Sequence, residues 1–246
     1  MGIADSARYI AMLAIGTGEI STARQLHEER LVIERDLGNA VHVAEALTDL
    51  GEIALLEARL ADAGRYLEEA RSLNEAFDDR QSMLRVLALL GELARREGQH
   101  ARAQAVLDRC LALARELDNR YAEAWALTQL ARLARAERNS AGAMARAMEA
   151  LDIAEEYKLS GVEAVVLDVA GAVAAGQGDI VTALRLSAAA EAMRKSFFRP
   201  IEVEHAVDHE VALRTLGPEG YERARMDGAA MAAADRRLLA RAVVAG

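Results

Sequence analysis

Between Val41 and Phe77, apolar residues recur at i, i+3, i+4 and i+7, the spacing that lines one side of an α-helix. The pattern lapses around Ala58 and then resumes, which predicts two helices, 41–57 and 60–77, joined by a tight turn. Shifting the chain by 40 residues superimposes the same residue types five times. The hairpin is therefore one copy of a repeat, with units near 3–38, 41–78, 81–118, 121–158 and 161–198. Ala14, Ala54, Ala94, Ala134 and Ala174 form one column, and Ala23, Ala63, Ala103, Ala143 and Ala183 form another. Leu47, Leu87, Leu127 and Leu167 make a third, and Ala11, Gly51, Gly91, Ala131 and Gly171 a fourth. Gly18, Gly98 and Gly178 share the turn column with Ala58 and Arg138.

Each column carries a mechanical expectation. A small residue on each helix lets two backbones approach, so Gly91 and Ala103 are expected where a larger side chain would hold the pair apart. Gly98 should close its helix as a C-terminal glycine, and the leucines should fill the space between successive pairs. The architecture expected is all-α: a right-handed α-solenoid of about five hairpins over 1–200, followed by a helical C-terminal cap over 201–246. The cap reads as three helices broken at Gly217-Pro218 and at Asp227-Gly228.

Composition narrows the class. With two prolines, 4% aromatics and 52% apolar residues dominated by Ala and Leu, helix is favoured almost everywhere. A formal charge of −9 is unfavourable for direct nucleic-acid binding. The single Cys110 excludes an intramolecular disulfide and any cysteine-based zinc site, which points to a reducing, cytoplasmic compartment. Nothing reads as a signal peptide, a lipid anchor or a run of about 18 apolar residues able to span a membrane. The stretch GTGE at 16–19 sits in a turn and lacks the lysine of a phosphate loop, so no nucleotide or other cofactor is expected. The basic tail DRRLLARAVV at 235–244 reads as the solvated face of a capping helix.

The columns resemble the tetratricopeptide repeat, whose unit carries a large residue, then Leu-Gly, and later small, large and small residues. In the second unit these are Leu47, Leu50-Gly51, Ala54, Ala63, Leu67 and Ala70; in the third, Leu87, Leu90-Gly91, Ala94, Ala103, Leu107 and Cys110. The family's usual aromatics and closing proline are missing, and the period is 40 rather than 34, as in a longer-helix variant. ALRLSAAAEAMRKSF at 183–197 and LGPEGYERARMDGAAM at 216–231 are similar to the C-terminal region of bacterial LuxR-type and related signal-transduction ATPase regulators. Leu216-Gly217, Tyr221, Ala224 and Gly228 carry that likeness. The resemblance implies a sensing or interaction region of a transcriptional regulator, with nucleotide- and DNA-binding domains outside this chain.

In tetratricopeptide stacks the first helix of each unit lines a concave groove, which makes the groove positions readable. The second unit places Glu45, Thr48 and Glu52 there; the third Arg85, Ala88, Glu92 and Arg95; the fourth Trp125, Thr128, Arg132 and Arg135; the fifth Val165 and Asp168. Arg96 and Arg102 fall on outer or edge surfaces. Arg95, Arg132 and Arg135 beside Trp125 would suit a carboxylate or peptide, because guanidinium forks bind carboxylates bidentately. Equally open is that these arginines pair internally with Glu52 and Glu92. The lysines and asparagines of a chaperone-binding carboxylate clamp are absent from these positions.

Other candidate chemistry is thin. His205 and His209 share a helical face with Glu202 or Asp208 as third metal ligands, but Ala206 stands where a metalloprotease needs glutamate. Cys110 occupies a small-residue column and reads as a buried apolar group, while Glu68-Glu69 and Glu155-Glu156 read as solvated faces. No catalytic set is expected. The leading expectation is a non-catalytic module that recognises a peptide, protein or small effector in the groove. The alternative is a stand-alone scaffold for complex assembly or self-association through the stack ends.

Overall fold

The computed structural model describes residues 18–194 and 208–243. Among these the chain is all-helical: α1 (Ile20–Asp36), α2 (Ala40–Leu56), α3 (Leu60–Ala76), α4 (Arg80–Arg96), α5 (His100–Glu116), α6 (Arg120–Ala136), α7 (Ser140–Tyr157), α8 (Ser160–Gly176), α9 (Ile180–Arg194), α10 (His209–Ala229) and α11 (Ala233–Ala242). The expected helices 41–57 and 60–77 match α2 and α3 to within a residue. The first helix expected of the first unit lies outside the described residues. No described helix is long and apolar enough to cross a membrane.

One turn conformation sets the frame. Gly18, Gly38, Ala58, Asp78, Gly98, Asp118, Arg138, Lys158 and Gly178 all have positive φ, between 50° and 86°. After each from Gly38 onward, the next residue's amide reaches back to a carbonyl five residues earlier, the bond of a Schellman cap. For the turns within units those acceptors are Ala54, Ala94, Ala134 and Ala174, which gives that alanine column its place at the end of the first helix. The turns between units, at Gly38, Asp78, Asp118 and Lys158, use the same cap with only one glycine among them. Nothing lies near the absent Cβ of Gly18 or Gly98, so the backbone angle alone accounts for glycine there.

Internal contacts divide the chain into two compact units, with the boundary between residues 122 and 123 inside α6. In the first unit, α2–α3 and α4–α5 are hairpins, α1 packs on α2, α3 on α4, and the first helices α2 and α4 touch. A continuous core runs through Leu31, Leu47, Leu50, Leu67, Val86, Leu90 and Leu93. Gly51 and Gly91 receive leucines: a Cβ on Gly91 would stand 2.5 Å from Leu107 Cγ, and one on Gly51 would stand 2.6 Å from Leu67 Cγ. The partner of Gly91 in this fit is therefore Leu107, where the sequence pointed to Ala103. In the fourth repeat both columns hold alanine, Ala131 and Ala147, each fully buried.

In the second unit α7 packs on α8, α8 on α9, and α9 on α10, with Leu184, Ala212, Tyr221 and Ala224 forming the core of the last contact. The break expected at Gly217-Pro218 is present as a non-helical Gly217 (φ 68°, ψ 168°) inside α10. No break occurs at Asp227-Gly228. Gly228 lies within the helix, where a Cβ would stand 2.3 Å from the Arg185 carbonyl oxygen of α9, so glycine there serves a close approach; the chain turns instead at 230–232.

Candidate functional site

The polar side chains of the first-helix positions are best described unit by unit. In the first unit they meet in a lattice centred on Asp49 of α2. Arg85 of α4 donates to Asp49 Oδ1 at 2.6 Å and also pairs with Glu52. From α1, Arg30 donates to Glu45 Oε2 at 2.7 Å and to Asp49 Oδ2 at 3.3 Å. His27 Nδ1, buried and without a hydrogen bond, lies 3.5 Å from the same Asp49 oxygen. Glu45, Asp49 and Glu52 share one face because they are four and three residues apart on a helix.

Burial grades this lattice from inside to outside. Arg30 is only 3% exposed, while Glu45 and Glu52 are half-buried and the Arg85 side chain is 39% exposed. Burial pushes the Asp49 carboxyl up, but the charges of Arg85, His27 and Arg30 overcome it and hold the group below the usual carboxylate range. For His27, burial outweighs the pull of Asp49, and Arg30 and Arg85 add to the loss of basicity, so its pKa is lowered and the ring is neutral at neutral pH.

The remaining candidates of this unit are engaged locally. Thr48 is buried and its hydroxyl donates to the Ala44 carbonyl at 2.7 Å. Arg95 forks onto Glu92 of its own helix at 2.8 and 2.9 Å. Arg96, expected on an outer surface, joins the same carboxylate at 2.7 Å and donates to the Leu55 carbonyl near the end of α2. Internal pairing therefore involves the expected glutamates in other combinations: Glu52 takes Arg85, and Glu92 takes Arg95 and Arg96 of its own helix. Arg102, by contrast, is exposed and pairs with Glu68, so that solvated pair of glutamates is partly used.

In the second unit, Trp125 is half-buried, and Thr128 donates to its carbonyl at 2.7 Å. Arg132 is 5% exposed and contacts Gln129 at 3.2 Å; Arg135 is half-buried. Asp168 is buried and forked by Arg194 of α9 at 2.5 and 3.3 Å. The basic tail is not a solvated face: Arg236, Arg237 and Arg241 of α11 pair with Glu163, Glu155 and Asp152.

Sequence reasoning passed over Arg30, Asp49, His27, Glu163 and Arg194, yet a signal existed. Glu163 has a second buried acid, Glu123, in its column beside Val43 and Met83, whereas Arg30 stands in the column of Ala70, Cys110 and Ala150 and His27 in that of Leu67, Leu107 and Ala147. A charged residue in an otherwise apolar column marks a place where a counter-charge must be supplied. Cys110 conforms to its column: its thiol donates to the Leu84 carbonyl at 3.4 Å, and burial pushes its pKa up to about 12. His205 lies outside the described residues; His209 Nδ1 is 2.8 Å from the Tyr221 hydroxyl, and the rings meet edge to face. Among the described residues no group of three or more His, Cys, Asp or Glu side chains is placed to hold a metal ion. No family model matches the chain, and no curated protein compared with it matches either.

Proposed function

We propose that this chain is a non-catalytic binding module of the tetratricopeptide kind, which recognises a peptide, protein or small effector on the face carried by its first helices. Its place is a cytoplasmic bacterial signalling or transcriptional regulator, as the likeness of its C-terminal segments to LuxR-type regulators implies. The observation that carries the reading is the graded lattice on α2 and α4. Buried Arg30 and half-buried Asp49 hold half-exposed Glu45, Glu52 and Arg85 in fixed orientations. Polar groups fixed before binding lose little freedom when a partner docks, which favours recognition by charge complementarity.

The test is quantitative capture of partners from the native host, comparing the natural chain with Arg85→Ala, Arg132→Ala and Trp125→Ala variants of unchanged helicity. A verified partner should be depleted about tenfold or more in at least the Arg85 variant, the loss expected for one buried charge contact. Undiminished capture by all three removes the first-helix face as the binding surface.

A further inference from the structure

The two cap helices are attached by different physics. α10 is held by apolar packing around Tyr221 and by the close fit of Gly228 against the α9 backbone. α11 rests on α8 and α9 mainly through charge. Arg236 Nε donates to Glu163 Oε1 at 2.6 Å and Arg237 Nη2 to Oε2 at 3.0 Å. Arg237 also meets Glu155 at 3.2 Å, and Arg241 meets Asp152 at 2.6 Å and Glu155 at 3.4 Å. On the apolar side, Ala240 is the only buried residue within α11, followed by Val243, whereas Leu238 is 69% exposed.

Glu163 is what makes this contact informative. It is 2% exposed, at a position that α2 and α4 fill with buried Val43 and Met83 and α6 with buried Glu123. A carboxylate at that depth is costly without a guanidinium, but nothing in the chemistry requires that the guanidinium come from the same chain. The outer pairs to Asp152 and Glu155 are exposed, so solvent screening leaves each of them weak. The connector from α10 is three residues, Ala230 to Ala232, the last in extended conformation.

We propose that the end formed by α7 and α8 is a receptor for an arginine-bearing helix, occupied in cis by α11 and open to exchange with a partner helix displaying Arg-Arg-x-x-x-Arg. α11 then acts as a self-ligand that keeps Glu163 neutralised until such a partner arrives. Asp152, Glu155 and Glu163 are not among the residues assigned to the first-helix face, and none of them pairs with Arg85, so either assignment can fail alone.

The experiment uses the full chain carrying Arg236→Gln and Arg237→Gln, with helicity checked by circular dichroism. The probe is a fluorescent peptide of residues 231–243, and the control is the same peptide with Arg236 and Arg237 changed to glutamine. The variant should bind the arginine peptide at least tenfold more tightly than the natural chain does, because a tethered α11 competes at an effective concentration near millimolar. Adding Glu163→Gln should lower that binding at least tenfold. Should that substitution disturb folding, Asp152→Asn with Glu155→Gln provides a surface variant expected to weaken binding severalfold. Equal binding to natural and variant chains, binding no better than the control, or indifference to both sets of acidic substitutions would overturn the proposal. A concentration-dependent dimer of the natural chain that Glu163→Gln abolishes would overturn the partner assignment in favour of a second copy.

Discussion

Two interfaces of the first unit occupy equivalent places in the repeat and are built from opposite chemistry. Where α1 meets α2, the polar group His27, Arg30 and Asp49 sits between apolar contacts of Ala23 and Leu31; one repeat later, the same three positions on α3 and α4 hold Leu67, Ala70 and Leu89. The turns and helix lengths around them are the same. The frame therefore does not depend on what fills the contact, provided that a buried charge is met by its opposite. What changes is the penalty for losing one member. An apolar plug leaves a cavity when truncated, whereas the lattice leaves an unpaired ion in a place water barely reaches.

The largest test of that contrast is Asp49→Ala, which leaves buried Arg30 with Glu45 alone and Arg85 with Glu52 alone. A loss of about 3–5 kcal/mol in urea unfolding is expected. Installing the interior residues instead, as His27→Leu, Arg30→Ala and Asp49→Leu together, should recover most of that loss. If the triple variant is as unstable as the single one, the two interfaces are not equivalent. Next in size is the glycine–leucine fit. Gly91→Ala should cost about 1–3 kcal/mol by overpacking and Leu107→Ala about 2–5 kcal/mol by leaving a cavity. Their combination, which reproduces Ala131 and Ala147 of the fourth repeat, should cost clearly less than the sum. Strict additivity in a double-mutant cycle would mean that the two columns do not share one space.

Smaller effects sharpen the role of the shared turns. Ala58→Gly should stabilise and Gly98→Ala destabilise by about 1 kcal/mol each, because only glycine adopts the left-handed backbone without a Cβ penalty. Shifts in thermal midpoint of opposite sign check this. The smallest effect at neutral pH concerns His27. Its pKa in the folded chain lies below its ordinary 6.5, so the unfolded chain takes up the proton first as the medium is acidified. Stability is therefore level above that value and falls below it. Asp49, also lowered from its ordinary 3.8, adds its own loss only at more acidic pH. His27→Leu should flatten the upper part of the profile and, by removing one of the charges that hold Asp49 down, shrink the lower part.

The helices and their hairpin order were legible because apolar periodicity and a fixed repeat length are local properties of the chain. The turns within units were legible through Gly18, Gly98 and Gly178. Those between units were not, because Asp78, Asp118 and Lys158 adopt the same backbone without a glycine to announce it. For the first-helix face, Glu45, Glu52, Arg85, Glu92, Arg95 and Asp168 were all identified as charged positions. Their partners were not, since Arg30 reaches across from a different helix and Arg194 lies 26 residues beyond Asp168. The tail arginines were misjudged for the same reason: their carboxylates lie more than 70 residues earlier.

By itself, then, the sequence determined the helical period, the repeat and the small-residue columns, because each follows from side-chain spacing along one helix or from recurrence along the chain. Only the tertiary structure decided which charges neutralise which, that Gly91 admits Leu107, that Gly228 serves a close approach, and that α11 is held by Glu163. Those are matters of distance between segments remote in the chain. In the interior, where water no longer screens, a few ångströms separate a stable ion pair from a stranded charge.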